Sequence, residues 1–373
     1  MSAKTPTLRV ATFNVSMEAD NYRRREEALD PQALEKRLRT GRNRQIRNIA
    51  EIIQRVRPDI LLLNEFDYIK DPRRGALAFQ RRYLSVSQNG QRPIHFRHFH
   101  TAPVNSGEPS PLDIDGDGTA SGTGGDAWGF GYYPGQYGML VLSRFPIDTE
   151  SVRSFRLFPW HRMPGALEPM YPDGSPFYDE QTWRRLRLSS KSHWDLPIRI
   201  RGKRVHLLAA HPTPPVFDGP ERRNAARNFD EIRLWADYVD SERSGYLQDD
   251  RGVTGGLAEG EAFVIAGDYN ASPVEGRSLT GAIEQLLAHP LIESGQPATS
   301  LGGAQHSPGN PHGDSHTADW RARVDYLLPS AAGIEVVDSG VFWPEPASEL
   351  AYLVNGRGAS SDHRLVWLDL CLN

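Results

Sequence analysis

A series of apolar runs, each stopping on a polar or charged side chain, constrains the fold of this chain more than any other feature. Leu8–Phe13 ends at Asn14, Asp59–Asn64 ends at Glu65, and Val205–Ala210 ends at His211-Pro212. Ala262–Ala266 runs into Gly267-Asp268-Tyr269-Asn270, and Ser361-Asp362-His363 stands just before the last run, Arg364–Leu370. Short apolar runs bounded by turn signals read as buried strands. A polar group at the end of such a strand must be hydrogen-bonded or put to use.

Helical patterns lie between these runs. Ile46, Ile49, Ala50, Ile53 and Val56 share one face of a helix over Asn43–Val56, which Pro58 stops. Ala225, Phe229, Ile232, Ala236 and Val239 do the same over Glu221–Asp240, and a short helix is expected near Leu279–Leu287. Further strands are predicted at Gly138–Ser143, Trp183–Leu188, Trp194–Ile200, Val324–Leu328 and Ile334–Phe342. No repeat is visible in the sequence and no linker divides two cores. The reading is one α/β domain over residues 1–373, with two sheets covered by helices. Stretches near 103–136 and 157–181 read as long inserted loops, a kind that is uncommon unless functional or disordered.

Composition narrows the partners. A net charge of −4 gives no overall pull toward nucleic acid or an anionic membrane. The basic runs Arg23–Arg25, Arg81-Arg82, Arg184-Arg185 and Arg222-Arg223 read as solvated surface. The single cysteine, Cys371, excludes an internal disulfide and a thiolate metal cluster, and is expected in the core of the last strand. No stretch approaches the ~18 apolar residues that span a bilayer. The chain enters its first strand almost at once, without a signal-peptide core, which fits a cytoplasmic protein or a secreted one lacking its leader. No protein partner is inferable.

Collected at the strand ends are Asn14, Glu65, His211, Asp268, Asn270, Asp325, Asp362 and His363. Singly, an Asp after a strand is more often an Asx turn or helix cap than a ligand. Together, these acids, amides and imidazoles suit oxygen-ligand metal chemistry on a phosphate. The ordered set Thr12-Phe13-Asn14-Val15, Leu63-Asn64-Glu65, Leu142-Ser143-Arg144-Phe145-Pro146, Gly267-Asp268-Tyr269-Asn270, Arg323-Val324-Asp325-Tyr326 and Ser361-Asp362-His363 resembles the endonuclease/exonuclease/phosphatase superfamily over nearly the whole chain.

The resemblance implies a DNase I-like fold: a four-layer α/β/β/α sandwich of two mixed sheets with outer helices and an active site at one end. It implies a metal-dependent phosphoric ester hydrolase using Mg²⁺ or Mn²⁺. In that scheme Glu65 is the principal metal ligand, with Asn14 beside it and Asp362 adding negative charge. Asp268 orients and deprotonates the attacking water, and Asn270 holds a phosphate oxygen. His363, oriented by Asp325, hydrogen-bonds the phosphate. His211 occupies the place of the second histidine of the DNase I-like branch, where a protonated imidazole acts as general acid worth ~10²–10⁴-fold in rate. Abasic-site endonucleases lack that histidine. They carry an acid where this chain has Ser16 and a Trp where it has Ala322, so base-excision repair is disfavoured and a second metal loses a ligand.

Three other strings bear on the site. Asp113, Asp115, Asp117 and Gly116 match the first positions of a calcium loop, although Gly124 stands where the closing acid would be. They suggest a structural Ca²⁺. Lys191 and His193 alternate along an extended segment and are candidates to reach a phosphate, while His306, His312, Asp314 and His316 read as a polar loop rather than a metal site. The expected function is a phosphodiesterase or nuclease acting on nucleic acid or a small phosphodiester. A phospholipid or inositol-phosphate phosphoesterase is the alternative. A nuclease would draw on Arg222, Arg223 and Arg227 as a basic track, and a lipid enzyme on an exposed Phe158-Pro159-Trp160 tip. A catalytically inactive scaffold is disfavoured, because no position of the set is lost.

Overall fold

The computed structural model describes residues 7–24 and 26–373, so Arg25 of the first basic run lies outside the described residues. In chain order the strands are β1 (Leu8–Met17), β2 (Ile60–Phe66), β3 (His98–His100), β4 (Met139–Ser143), β5 (Arg153–Ser154), β6 (His193–Ile200), β7 (Lys203–Ala210), β8 (Ala262–Asp268), β9 (Asp325–Pro329), β10 (Ile334–Val341) and β11 (Val366–Leu372). They form a six-stranded sheet, β10-β11-β1-β2-β4-β3, and a five-stranded sheet, β5-β6-β7-β8-β9. Both sheets are mixed. β1 runs parallel to β2 and β7 parallel to β8, while the other pairings are antiparallel.

The two sheets repeat one device. In each, a parallel pair is joined through a crossover that contains a helix, Arg44–Val56 between β1 and β2 and Arg223–Tyr238 between β7 and β8. In each, antiparallel strands flank that pair, β11 and β4 in one sheet and β6 and β9 in the other. The sequence carries no trace of this likeness. The sheets pack face to face, β1 against β8 and β9, and β2 against β8.

Alternation along the strands explains the layers. Leu207, Ala209, Val264, Ala266 and Leu327 join the core shared with the first sheet, whereas Leu208, Ala210, Phe263, Ile265, Tyr326 and Leu328 join a second core with Ile232 and Trp235 of the helix Arg223–Tyr238. That makes the four-layer α/β sandwich expected from the sequence. The helix Arg44–Val56 starts as predicted, with the Asn43 side chain accepting from Ile46 N at 3.0 Å.

The structure corrects several local expectations. Trp183–Leu188 is not a strand: the Asp179 side chain caps a helical turn at Glu180–Trp183, and only an isolated bridge, Pro159 to Arg187, follows. Cys371 is partly exposed rather than core. The helix Arg223–Tyr238 buries Asn228, Asp230 and Glu231 as well as its apolar face. The reason is the stretch 157–181, whose Trp160 Nε1 and Leu167 N both donate to Asp230 at 2.7 Å. Phe158 and Trp160 are 2% and 1% exposed, so they pack the second core and offer no apolar tip to a lipid surface. No helix among the described residues is long and apolar enough to cross a membrane.

Gly267 sits where β8 meets β7 in register with Ala210. A Cβ there would lie 2.0 Å from the Ala210 carbonyl oxygen, so only glycine allows the two strand ends to approach. Gly267→Ala is expected to lower stability by about 2–3 kcal/mol, the scale of an overpacked core. An unchanged urea midpoint would show that the strand ends tolerate separation.

Candidate active site

Strand ends from both sheets converge at one end of the sandwich, and the backbone is bent to aim them. β1 pairs Asn14 with Asn64 and then Met17 with Phe66, so Val15 and Ser16 bulge opposite Glu65 alone. Ser16 (φ 46°), Glu65 (φ 57°) and, past β8, Asn270 (φ 53°) all adopt left-handed backbone without being glycine. Such conformations cost on the order of 1–3 kcal/mol each and cluster at functional sites.

Asp268 is the hub. Its Oδ2 accepts from Asn14 Nδ2 at 3.0 Å and lies 3.4 Å from His211 Nε2 and 3.5 Å from His363 Nε2. Its Oδ1 accepts from Asn270 N at 3.0 Å, and its own N–H donates to Asn64 Oδ1 at 3.2 Å. Asn64 Nδ2 in turn donates to Ala210 O at 3.2 Å, tying the first sheet to the end of β7. Asn270 Nδ2 donates to Pro212 O at 3.2 Å, which leaves a second amide hydrogen for a ligand.

His363 Nδ1 bonds Asp325 Oδ2 at 2.9 Å, and the edge of Trp320 packs on the imidazole at 4.8 Å between ring centroids. Thr317 Oγ1 accepts from Val324 N and Asp325 N, both at 3.0 Å, and so fixes the start of β9. Burial opposes a charge on His363, but the carboxylates of Asp325 and Asp268 outweigh it and push the imidazole up to about 10. Burial likewise pushes Asp325 up to about 6, against the pull of His363. Asp268, although buried, is held well below the usual carboxylate range by His363, His211 and Asn14. His211 is pushed down by burial and by Lys191, and only partly restored by Asp268. At neutral pH the imidazolium is therefore His363, and His211 is neutral in the ligand-free site. The general-acid role expected for His211 would need the phosphate's own negative charge to raise it.

Ligand atoms of Asp268, Asp325 and His363 lie within 4.8 Å of one another, close enough for a metal ion. A protonated imidazole has no free lone pair, so this triad holds a proton. The acidic side of the cleft suits a cation better. Burial pushes the Glu65 carboxyl up, and its Oε2 is buried with no hydrogen-bond partner. Asp362 Oδ1 accepts from Ser16 Oγ at 2.9 Å, and Asp362 is held low by His363 and Arg357 despite burial. Asn14 Oδ1 accepts from Ser16 N at 3.2 Å, so the amide is braced between both sides of the site. These oxygens fit a hard divalent ion.

The structure brings Asn14, Glu65, His211, Asp268, Asn270, Asp325, Asp362 and His363 together. Lys191 joins them: it is buried, its ammonium is pushed down by burial, and it feels Glu231, Glu65 and Asp268. His193 does not join. Its Nδ1 bonds Ser189 Oγ at 2.6 Å and its Nε2 bonds Glu231 O at 2.9 Å, which leaves neither nitrogen for a phosphate. His306, at the end of the helical turn Leu301–His306, and the buried His316 are engaged with Asp319 O, Ser307 and Glu275.

A family model described as the Endonuclease/Exonuclease/phosphatase family matches residues 11–363. The chain belongs to this family. No curated protein sequence matches it. Among solved structures it is similar to an endonuclease/exonuclease/phosphatase of Beutenbergia cavernae, at 19% identity and a TM-score of 0.53, over 98% of this chain and 72% of that one. It is also similar to the human nocturnin catalytic domain, at 15% identity and TM-score 0.48, over 99% of this chain and 95% of that one. Sphingomyelinase C of Streptomyces griseocarneus follows, at 16% and 0.46, over 98% and 99%. At 19% identity the likeness to the Beutenbergia cavernae structure is one of fold.

Four further residues border the candidate site that the sequence did not single out for it: Glu18, Asn64, Trp320 and Arg357. Asn64 had a signal, an amide inside a leucine-rich strand. Trp320 gave none, since its packing on His363 is a matter of the fold. Arg357 and Glu18 gave none, because their meeting depends on the tertiary structure. The charge on His363 is directly testable. Its proton is expected to persist through pH 8 in the metal-free protein and to leave only as pH rises through about 10. Asp325→Asn removes the nearest raising carboxylate and should lower that value by more than about one unit. Imidazole ¹⁵N shifts give the measurement, and a wild-type midpoint near 6.5 would refute the assignment.

Proposed function

We propose that this protein is a divalent-metal-dependent phosphoester hydrolase, acting as a phosphodiesterase or nuclease. The observation that carries this reading is the single Asp268 oxygen shared by Asn14, His211 and His363. An ionised carboxylate between two imidazoles can orient a water and take its proton while the imidazoles face a phosphate. Glu65, with Asp362 and the braced Asn14, would hold Mg²⁺ or Mn²⁺, which neutralises phosphate charge and the leaving oxygen. His363, kept protonated by Asp325, donates to the phosphate as negative charge grows in the transition state. Asn270 and Lys191 add an amide hydrogen and a buried cation at the same place. His211 becomes a general acid once the phosphate raises it.

The substrate reading favours a small or accessible phosphodiester over a long nucleic acid. Arg227 is half-buried and donates to the carbonyls of Leu188, Trp128 and Arg187, Arg223 pairs with Glu221, and Arg222 donates to Arg277 O. These arginines are spent on structure and do not form a free basic track. A phospholipid or inositol-phosphate substrate stays the alternative, without the Phe158-Pro159-Trp160 tip to support it.

Ca²⁺ on Asp113, Asp115 and Asp117 is a separate proposal. Their ligand atoms lie within 4.8 Å of one another, although each also accepts from loop N–H groups: Gly116 and Gly118 on Asp113, Asp117 on Asp115, and Thr119 on Asp117. A rise in Tm with Ca²⁺ that Asp115→Asn abolishes would support it; identical melting with and without Ca²⁺ would remove it.

Turnover of bis-p-nitrophenyl phosphate with Mn²⁺ tests the main reading. Glu65→Ala and His363→Ala should each lower kcat/KM by ~10²–10⁴-fold with folding retained, as expected when one charge-stabilising or proton-donating group is lost. Turnover independent of added metal, or at the wild-type level in both variants, would sink it.

A further inference from the structure

Arg357 stands between two glycines, Gly356 and Gly358, in the segment that leads to Ser361-Asp362-His363. Its guanidinium faces three acids from separate parts of the chain: Glu65 Oε2 at 3.6 Å, Asp362 Oδ1 at 3.7 Å and Glu18 Oε1 at 3.8 Å. These are ion-pair distances but too long for hydrogen bonds. The walls of this pocket are held by other contacts. Glu18 accepts from Asp20 N and Asn21 N, both at 2.7 Å, and from Gln136 Nε2 at 3.1 Å. Asp362 is held by Ser16 Oγ, and Glu65 by its left-handed backbone in β2.

The arginine is the loosest part of the arrangement. Its side chain is 45% exposed, and a Cβ on either flanking glycine would meet nothing within 4 Å. Three carboxylates gathered in a cleft repel one another and need a counter-charge. A guanidinium meets that need through space, without coordinating any of the oxygens.

We infer that Arg357 is an internal competitor of the divalent cation: it neutralises the pocket of Glu18, Glu65 and Asp362 in the metal-free protein and leaves it when the ion binds. The inference rests on the metal reading of Glu65. Two consequences follow from competition. Apparent metal affinity is reduced by the fraction of molecules whose pocket holds the arginine. Metal binding also frees the segment that Arg357 anchors.

Calorimetric titration with Mn²⁺ alone, on wild type, Arg357→Ala and Arg357→Lys, tests the first consequence. Arg357→Ala should bind Mn²⁺ about tenfold more tightly than wild type, and Arg357→Lys within about threefold of it, because the lysine keeps the charge. Backbone hydrogen exchange over 355–359 should also speed up in wild type when Mn²⁺ is added. Equal or weaker binding by Arg357→Ala, with wild type still binding Mn²⁺ through Glu65, overturns the inference and leaves the metal site standing. Absence of Mn²⁺ binding in wild type and in Arg357→Ala alike overturns the metal reading as well.

Discussion

One carboxylate oxygen, Asp268 Oδ2, is approached by an amide from the first sheet and by two imidazoles, one after β7 and one just before β11. A buried carboxylate with that many donors stays ionised. The rest of the site is arranged around keeping it so. Asn64 receives its N–H, Asn270 donates to its second oxygen, and Gly267 lets the end of β8 come close enough to β7 for His211 to reach it. Its charge, second to that of Asp325, also helps to keep His363 protonated.

Two groups of charged side chains thereby meet at this end of the sandwich. On one side Asp325 and Asp268 flank the His363 imidazolium. On the other, Glu65, Glu18 and Asp362 gather negative charge that Arg357 faces. Asn14 and Ser16 stand between them and bond to both, Asn14 to Asp268 and Ser16 to Asp362. The bulge of β1 makes this possible, since it brings Ser16 into the cleft at the position where abasic-site enzymes carry an acid. Here the Ser16 hydroxyl donates to Asp362.

The inserted stretches have a structural task. Residues from 157–181 supply Phe158, Trp160 and Met163 to the second core and bond Asp230 of the covering helix. The Ser189–His193 string serves the same helix: Glu231 accepts from Ser190 N at 2.6 Å, and its carbonyl meets His193 Nε2. This is why a helix that reads as amphipathic is buried on nearly every side. It is also why His193, Arg227 and the Phe158-Pro159-Trp160 segment, each plausible at a surface, are spent inside.

Much of this protein was determined by the order of residues along the chain. Apolar runs of strand length and the helical faces at Ile46–Val56 and Ala225–Val239 specify alternating elements, because burial of period-two and period-3.6 faces leaves few other options. The polar residues that stop those runs are most of those the fold brings together in the candidate site. What the tertiary structure decided is everything set by meetings between distant segments. The internal likeness of the two sheets is a matter of topology and needs no shared letters. Whether a histidine is a proton holder or a satisfied core residue depends on its neighbours: His363 meets two carboxylates, while His193 meets a serine hydroxyl and a backbone carbonyl. The place of Arg357 among three acids was equally out of reach, since an ion pair is defined by distance in space, and the sequence records only distance along the chain.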